Sequence, residues 1–279
     1  MSGDGASLAK RGSIERPARE SRQSRHTGFL IVNADDWGLD RETTDRTLEC
    51  ISQRTVSSVS AMVFMEDSER AAAIAGERRI DAGLHLNFTT LFSASRASSA
   101  LLEHQRRISG YLRNRFAQVI FHPGLAQSFR YVAAAQRDEF HRLYGAEPCR
   151  YDGHHHMHLC ANVLWQGLLP ARTQVRRNFS FQAGEKGLMN CLYRRAIDRI
   201  LARHHFLTDF FFALPSLDCP GRLDRICSLA RTFTVELAAH PVRPEEYRLL
   251  TEGEVLRRAP GSPIAAGFTA ARGSVKPAV

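Results

Sequence analysis

The chain has 279 residues, of which 43% are hydrophobic, so it can bury one substantial core or two smaller ones. No apolar run approaches the roughly 18 residues of a membrane-spanning helix, and no apolar segment that could act as a secretion signal follows the basic N terminus. The formal net charge is +9, but no basic stripe is interleaved with aromatic residues and no nucleic-acid-binding motif occurs. A nucleic-acid partner is therefore not expected.

The two ends of the chain differ in composition from its middle. Residues 1–27 lack aromatic residues and are rich in Ser, Arg and Gly, which predicts a disordered basic arm. Residues 259–279 have a similar character and predict a loose C-terminal tail, which leaves residues 28–258 as one domain. The six cysteines form no C-x-x-C pair and are expected to be reduced thiols of a cytoplasmic protein.

Strand-like and helix-like stretches alternate along the predicted domain. Short apolar runs with β-branched residues indicate buried strands, and longer stretches between them have helical periodicity. This alternation favours a mostly parallel sheet, either closed as a (β/α) barrel or doubly wound. In chain order, the predicted strands are 29–34, 57–65, 80–88, 149–158, 173–178, 206–213 and 232–240, and the predicted helices lie at about 41–54, 67–75, 97–121, 126–144, 188–204 and 221–231.

Polar residues that could carry chemistry cluster where the predicted strands end. Asp35 and Asp36 follow the first strand, His85 lies in the third, Asp152 lies in the fourth, and His240 closes the last. Each piece alone has a structural explanation, such as a helix cap, a buried core histidine or a polar edge strand. In a parallel barrel, however, the carboxyl ends of all strands open onto one face, and four polar pieces there favour an active site.

The segment YDGHHHMH, residues 151–158, is the strongest single signal. On a strand, the alternation of side chains places Asp152, His154, His156 and His158 on one side. On a helix, His154 and His158 would instead pair four residues apart. Either arrangement favours a divalent metal, because neutral imidazole binds zinc, iron or nickel well. Structural zinc more often uses closely spaced cysteines, which this chain lacks.

Five segments together resemble the YdjC-like carbohydrate deacetylases, a family that includes chitooligosaccharide deacetylases and a branch associated with hopanoid biosynthesis. They are VNADDWGLD, TVSSVSAMVF, AGLHLNFT, YDGHHHMHL and VELAAHP, and the resemblance covers about residues 29–250. It implies a (β/α) barrel-like α/β fold related to the polysaccharide deacetylase barrels. It also implies one divalent metal held by an Asp-His-His set, and hydrolysis of the N-acetyl group of an amino sugar.

The resemblance assigns roles to individual residues. Asp36, His85 and His154 match the metal ligands of the family. Asp35 matches the candidate general base, and His240 matches a histidine that can act as the general acid.

Four further positions are expected to support the site. Asp152 and His156 match polar positions of the same motif and are expected to orient the ligands. Arg176 is expected to orient a carboxylate or the substrate. Trp37 stands where the family usually has Phe, and we expect it to narrow the sugar pocket.

Two positions depart from the family pattern. Gly153 stands where Ser is common, which removes a hydroxyl group but no ligand, and residues 91–107 replace a loop that is usually rich in Gly and Pro and is expected to contact the substrate. The resemblance therefore implies an N-acetylated carbohydrate or sugar-containing lipid without naming it. Magnesium or zinc is expected first, with manganese, cobalt or nickel also suited, and a homodimer is expected. The alternatives are a hydrolase of another bond on the same barrel and a non-catalytic binding protein.

Overall fold

The computed structural model describes residues 28–114, 116–181, 185–214, 221–258 and 268. The predicted basic arm lies outside the described residues. So does the predicted C-terminal tail, apart from Phe268.

Seven parallel strands form one sheet at the centre of the described structure. Its spatial order is β5-β4-β3-β2-β1-β7-β6, and every neighbouring pair is parallel. The predicted parallel α/β architecture is thereby confirmed. The strands are β1 (Phe29–Trp37), β2 (Ser58–Ala61), β3 (Ala82–Leu86), β4 (Arg150–Gly153), β5 (Gln174–Val175), β6 (Phe210–Ala213) and β7 (Thr234–Ala239).

The two edges of the sheet meet through backbone hydrogen bonds. Val175 donates its N–H to the carbonyl of Phe206 at 2.9 Å, and Phe206 donates to the carbonyl of Thr173 at 3.0 Å. Further along, Ser180 donates to the carbonyl of Phe211 at 2.8 Å. Because these bonds join the β5 edge to the chain that enters β6, the sheet curls into the predicted barrel-like shape.

Nine helices connect or flank the strands in the described part of the chain. Local capping explains several of their ends: the Asp40 side chain accepts from the Thr43 N–H at 2.8 Å at one helix start, and Gly145 ends another at φ 71°. The helices are α1 (Arg41–Ser52), α2 (Ser68–Arg78), α3 (Ser99–Leu112), α4 (Ala126–Tyr144), α5 (Ala161–Trp165), α6 (Leu188–Ala202), α7 (Arg222–Leu229), α8 (Pro244–Thr251) and α9 (Glu254–Arg258).

The predicted strand over residues 149–158 is wrong beyond Gly153. The neighbouring strand β3 ends at Leu86, directly opposite Gly153, so no backbone partner remains there for a longer β4. Residues His154–Leu159 instead form a 3₁₀ turn, with His155 and His156 in left-handed conformations at φ 53° and 59°. The predicted one-sided row of histidines therefore does not form.

The inside of the barrel is polar, which is uncommon for a core. Alternate residues of several strands face inward and bond to one another: Asn33 donates to Ser60 at 2.7 Å, and Ser58 donates to Asn33 at 2.8 Å. Apolar side chains fill the layer between the sheet and the helices. The buried polar residues of the barrel interior are Asn33, Asp35, Ser58, Ser60, His85, Arg150, Asp152, Arg176 and Glu236.

Gly83 leaves the space that one of these side chains fills. A Cβ atom at this position would lie 2.7 Å from Cζ and 3.0 Å from Cβ of Arg150. The Arg150 guanidinium is held by the Val59 carbonyl at 2.6 Å and the Ser60 hydroxyl at 3.0 Å, so it has little freedom to move away.

We expect Gly83→Ala to lower the free energy of unfolding by about 1–3 kcal/mol, as overpacked cores do. Gly76→Ala is the matched control, because a Cβ at this position in the last turn of α2 meets nothing within 4 Å. That control should be neutral or stabilising by up to about 1 kcal/mol. Urea unfolding of the three proteins measures the difference, and equal stability of Gly83→Ala and the wild type would contradict the packing argument.

Candidate active site

Asp35 and Asp36 both enter the site because β1 becomes irregular at its end. Neighbouring residues of a regular strand face opposite sides. Here the pairing of β1 with β2 shifts between Ala34 and Trp37, and Asp36 adopts φ 65°. A positive φ is unfavourable for residues other than glycine and recurs at functional sites. It turns the Asp36 carboxylate to the same side as that of Asp35.

Three potential metal ligands converge on this turn. One carboxylate oxygen, Oδ1 of Asp36, lies 2.8 Å from Nδ1 of His154 and 3.3 Å from Nε2 of His85. Asp36, His85 and His154 each offer one ligand atom, and these atoms all lie within 4.8 Å of one another. Two imidazole nitrogens and a carboxylate are a donor set that suits zinc and other first-row divalent metals. The structure therefore brings the three predicted ligands together.

A second set, formed by Asp35, His85 and Asp152, has similar spacing but fits a metal less well. Oδ1 of Asp152 lies 2.7 Å from Nδ1 of His85, which leaves the His85 Nε2 directed at Asp36. The other oxygen of Asp152 accepts from the Ser60 hydroxyl at 2.5 Å. Asp152 is thus placed to orient His85, an arrangement common behind metal-binding histidines.

The protonation of the site follows from its buried charges. Burial opposes protonation of His85, but the charge and hydrogen bond of Asp152, together with Asp36, raise the pKa of His85 to about 10. Burial raises the pKa of Asp36, but its hydrogen bonds with His154 and His85 outweigh that effect and hold the pKa well below the usual value. The Asp36 carboxylate is therefore ionised at neutral pH, as a metal ligand must be.

Arg176 ties the carboxylates of the barrel interior together. Its two terminal nitrogens bond the two oxygens of Asp35 at 2.7 Å each, and its Nε donates to Glu236 at 2.6 Å. One terminal nitrogen also lies 3.0 Å from Asp152. Burial disfavours the charged guanidinium, but these three carboxylates raise the pKa of Arg176 well above its ordinary value. Arg176 therefore orients a carboxylate, and its burial keeps it from a bound substrate.

The buried groups leave an excess of negative charge. Four carboxylates, those of Asp35, Asp36, Asp152 and Glu236, face three buried cations, the guanidiniums of Arg150 and Arg176 and the protonated ring of His85. Buried charges are costly unless they are paired or bound to a metal. A divalent cation bound by Asp36 and the two histidines would displace the proton of His85, because a ligating imidazole is neutral, and its two charges would offset the excess.

His240 faces the carboxylate pair from the end of β7. Its Nε2 lies 3.9 Å from Oδ2 of Asp35, and its side chain is 24% exposed, against 4% for Asp35. Its backbone N–H donates to Oε2 of Glu246 at 2.6 Å, which fixes the chain where it leaves the strand. Burial lowers the pKa of His240, but the interactions with Glu246 and Asp35 outweigh it and raise that pKa.

The histidines after His154 are placed in three different environments. His155 is exposed and stacks on His154 with ring centroids 4.0 Å apart. His156, predicted to orient the ligands, packs edge-on against Phe179, and burial and the charge of Arg176 lower its pKa to about 3. His158 is buried, and its Nε2 lies 2.9 Å from the carbonyl oxygen of Arg176. Neither His156 nor His158 belongs to the converging ligand set.

Trp37 does not line a sugar pocket, contrary to the expectation from its position in the motif. Its side chain is fully buried in the apolar core, and its Nε1 donates to the carbonyl of Ala71 in α2 at 3.2 Å. The irregular end of β1 turns Asp36 into the site and leaves the indole packed against the helices instead.

Sequence reasoning missed three members of this network. Ser60 and Arg150 bond to Asp152, and Glu236 bonds to Arg176. A signal for two of them, Ser60 and Arg150, exists in the sequence, since Ser58 and Ser60 alternate in β2 as Arg150 and Asp152 do in β4. Two polar residues at alternate positions of a buried strand indicate a polar inner face.

The chain is similar in sequence to proteins of a known family. The model of a family described as YdjC-like protein matches residues 29–259. A carbohydrate deacetylase of Mus musculus is 29% identical over 244 residues, which cover 77% of this chain and 78% of the mouse protein. A chitooligosaccharide deacetylase of Proteus mirabilis is 33% identical over 137 residues, which cover 48% of this chain and 52% of that protein.

One solved structure has the same fold. It is described as a candidate cellobiose-phosphate cleavage protein of Enterococcus faecalis, and it matches with a TM-score of 0.62 at 16% identity. The match covers 88% of this chain and 99% of that chain, so nearly the whole architecture is shared.

Replacement of Arg176 tests the buried network. Arg176→Met leaves Asp35, Asp152 and Glu236 buried without their shared cation, so we expect the free energy of unfolding to fall by about 3–5 kcal/mol. Arg176→Lys keeps the charge but loses the bidentate contact with Asp35, so its stability should lie between those of the wild type and Arg176→Met. Urea unfolding gives the values, with the exposed Arg130→Met in α4 as the control. An Arg176→Lys protein as stable as the wild type would contradict the role of the paired contact.

Proposed function

The chain belongs to the YdjC-like protein family, and on that premise we propose that it is a metal-dependent carbohydrate deacetylase that removes the N-acetyl group of an amino sugar, an oligosaccharide or a sugar-containing lipid. The observation that carries the proposal is the convergence of Asp36, His85 and His154, with a second carboxylate and a histidine beside them. Relatives described as carbohydrate deacetylases support the substrate class.

Asp36, His85 and His154 are the residues that would hold the metal. A divalent cation bound there would polarise the acetyl carbonyl and lower the pKa of a coordinated water. The resemblance and the donor set favour zinc or magnesium, with manganese, cobalt and nickel as further candidates. The homodimer and the cytoplasmic location stay predictions.

We assign the role of general base to Asp35. Its Oδ1 accepts from both Asn33, at 2.8 Å, and Arg176, whereas its Oδ2 accepts from Arg176 alone among the described residues and faces His240. Oδ2 therefore retains acceptor capacity for the proton of an attacking water. Burial raises the pKa of Asp35, but Arg176 outweighs it and lowers that pKa, so the base is ionised at neutral pH.

We assign the role of general acid to His240. The leaving amine of a deacetylated sugar needs a proton, and the raised pKa of His240 favours the protonated ring that can supply it. Its Nε2 faces Oδ2 of Asp35, so the acid and the base lie on the same side of the site. The exposed His155, bonded to the Thr89 hydroxyl at 3.0 Å, is placed on the solvent side of His154, where a sugar would approach.

Removal and return of the metal tests the proposed reaction. We expect chelator-treated protein to release no acetate from N-acetylglucosamine or its β-1,4-linked dimer, and release to return when one divalent metal is added back. Acetate is measured enzymatically, and metal binding is measured separately by calorimetry. The proposed reaction would be wrong if the protein bound metal and hydrolysed a chromogenic phosphoester but released no acetate. The barrel would then catalyse hydrolysis of a different bond.

Mutation of the two adjacent aspartates should affect metal binding and turnover differently. Asp36→Asn should abolish metal binding and turnover together, because it removes a charged ligand. Asp35→Asn should leave the metal bound while kcat falls about 10²–10⁴-fold, the usual contribution of a general base. Asp138→Asn, an exposed position on α4, is the control for the substitution itself. Full turnover of Asp35→Asn would rule out its role as the base.

A further inference from the structure

Helix α6 exposes apolar side chains on a scale that the rest of the described surface does not match. Of the twelve large hydrophobic residues that are clearly exposed among the described residues, five belong to this one helix of 15 residues. Their spacing of three, four and seven residues places them on one side of the helix. They are Leu188 (73% exposed), Met189 (77%), Leu192 (47%), Tyr193 (40%) and Ile200 (47%), and we call them the apolar stripe.

A row of arginines runs beside the apolar stripe. Arg195, Arg199 and Arg203 recur every four residues and, with Arg172, line a cleft of about 720 Å³. The cleft also contains Arg177 and two carboxylates, those of Asp198 and the exposed Asp209. Within the described residues, the side chains of Arg172, Arg195, Arg199 and Arg203 make no hydrogen bond and no ion pair. Free guanidiniums along an open cleft are ready to contact phosphate groups.

The acidic residue of the same helix does not neutralise this row. Asp198, the single carboxylate of α6, is buried and bonds Arg177 at 2.9 Å and the side chain of Asn178 at 3.0 Å. It is thereby used to attach the helix to the chain that follows β5. The exposed side of α6 itself therefore combines apolar and positively charged groups without a carboxylate. Asp209 of the same cleft accepts from the Thr234 N–H at 2.8 Å and is outnumbered by the four unpaired arginines.

We propose that the exposed side of α6 is a docking surface for an anionic phospholipid bilayer. An interfacial helix with a lipid-facing apolar side and flanking arginines has this composition, and each cation near an anionic surface strengthens binding. A second copy of the chain fits the charge less well, since it would bring a further set of arginines and no exposed carboxylate of α6. No helix among the described residues is long and apolar enough to cross a bilayer, so the contact is with its surface.

Vesicle co-sedimentation of the full chain tests this inference, which does not depend on the proposed deacetylase activity. The probes are vesicles of phosphatidylcholine alone and vesicles that also contain phosphatidylglycerol. We expect binding to the anionic vesicles to be at least about tenfold stronger and to weaken as salt is raised. Two double variants, Leu188→Ser with Met189→Ser and Arg195→Gln with Arg199→Gln, should each weaken it by about tenfold or more.

Matched controls lie elsewhere on the surface. Trp165→Ser removes a side chain that is 81% exposed, and Arg130→Gln removes an exposed arginine of α4, so both should bind vesicles as the wild type does. Thermal unfolding of each variant is measured to verify that it folds. Absence of binding to anionic vesicles, or equal loss in the controls and the α6 variants, would overturn the proposal. The proposal would also be overturned if sedimentation velocity showed that the wild type is a dimer and the α6 variants are monomers. The surface would then be an interface with a second copy of the chain.

Discussion

The pairing of one buried guanidinium with three carboxylates organises the interior of this barrel. Arg176 contacts Asp35, Asp152 and Glu236, which come from three different strands. Removal of the cation would leave these charges in a medium that solvates them poorly. Since Asp152 in turn orients His85, the position of a proposed metal ligand depends on an arginine that does not touch the ligand set itself.

The polar interior also explains several small residues of the strands. The Ser60 hydroxyl links Asn33 to Asp152 across the sheet, and the Ser58 hydroxyl donates a further hydrogen bond to Asn33. Gly83 lacks a side chain because Arg150 occupies the space where one would project. The barrel is therefore held together inside by hydrogen bonds and ion pairs, and outside by apolar contacts between the sheet and the helices.

Two backbone irregularities place the chemically important groups. The break in the register of β1 turns Asp36 beside Asp35, and the end of β4 at Gly153 allows His154 to reach Asp36. Both irregularities occur at the carboxyl edge of the sheet, where strands lose their partners and the chain is free to turn. The same edge carries His240, so the proposed acid, base and ligands share one opening.

The sequence by itself determined the alternation of strands and helices, and with it the parallel α/β fold. It also placed polar residues at the ends of several strands, and the resemblance to the YdjC-like family singled out Asp36, His85 and His154 among them. Only the tertiary structure decided that the histidine segment is a turn, that Trp37 is buried, and that Arg176 forms ion pairs with three carboxylates. Those outcomes depend on where a neighbouring strand ends and on which side chains meet across the barrel, and such long-range contacts leave no local pattern in the sequence.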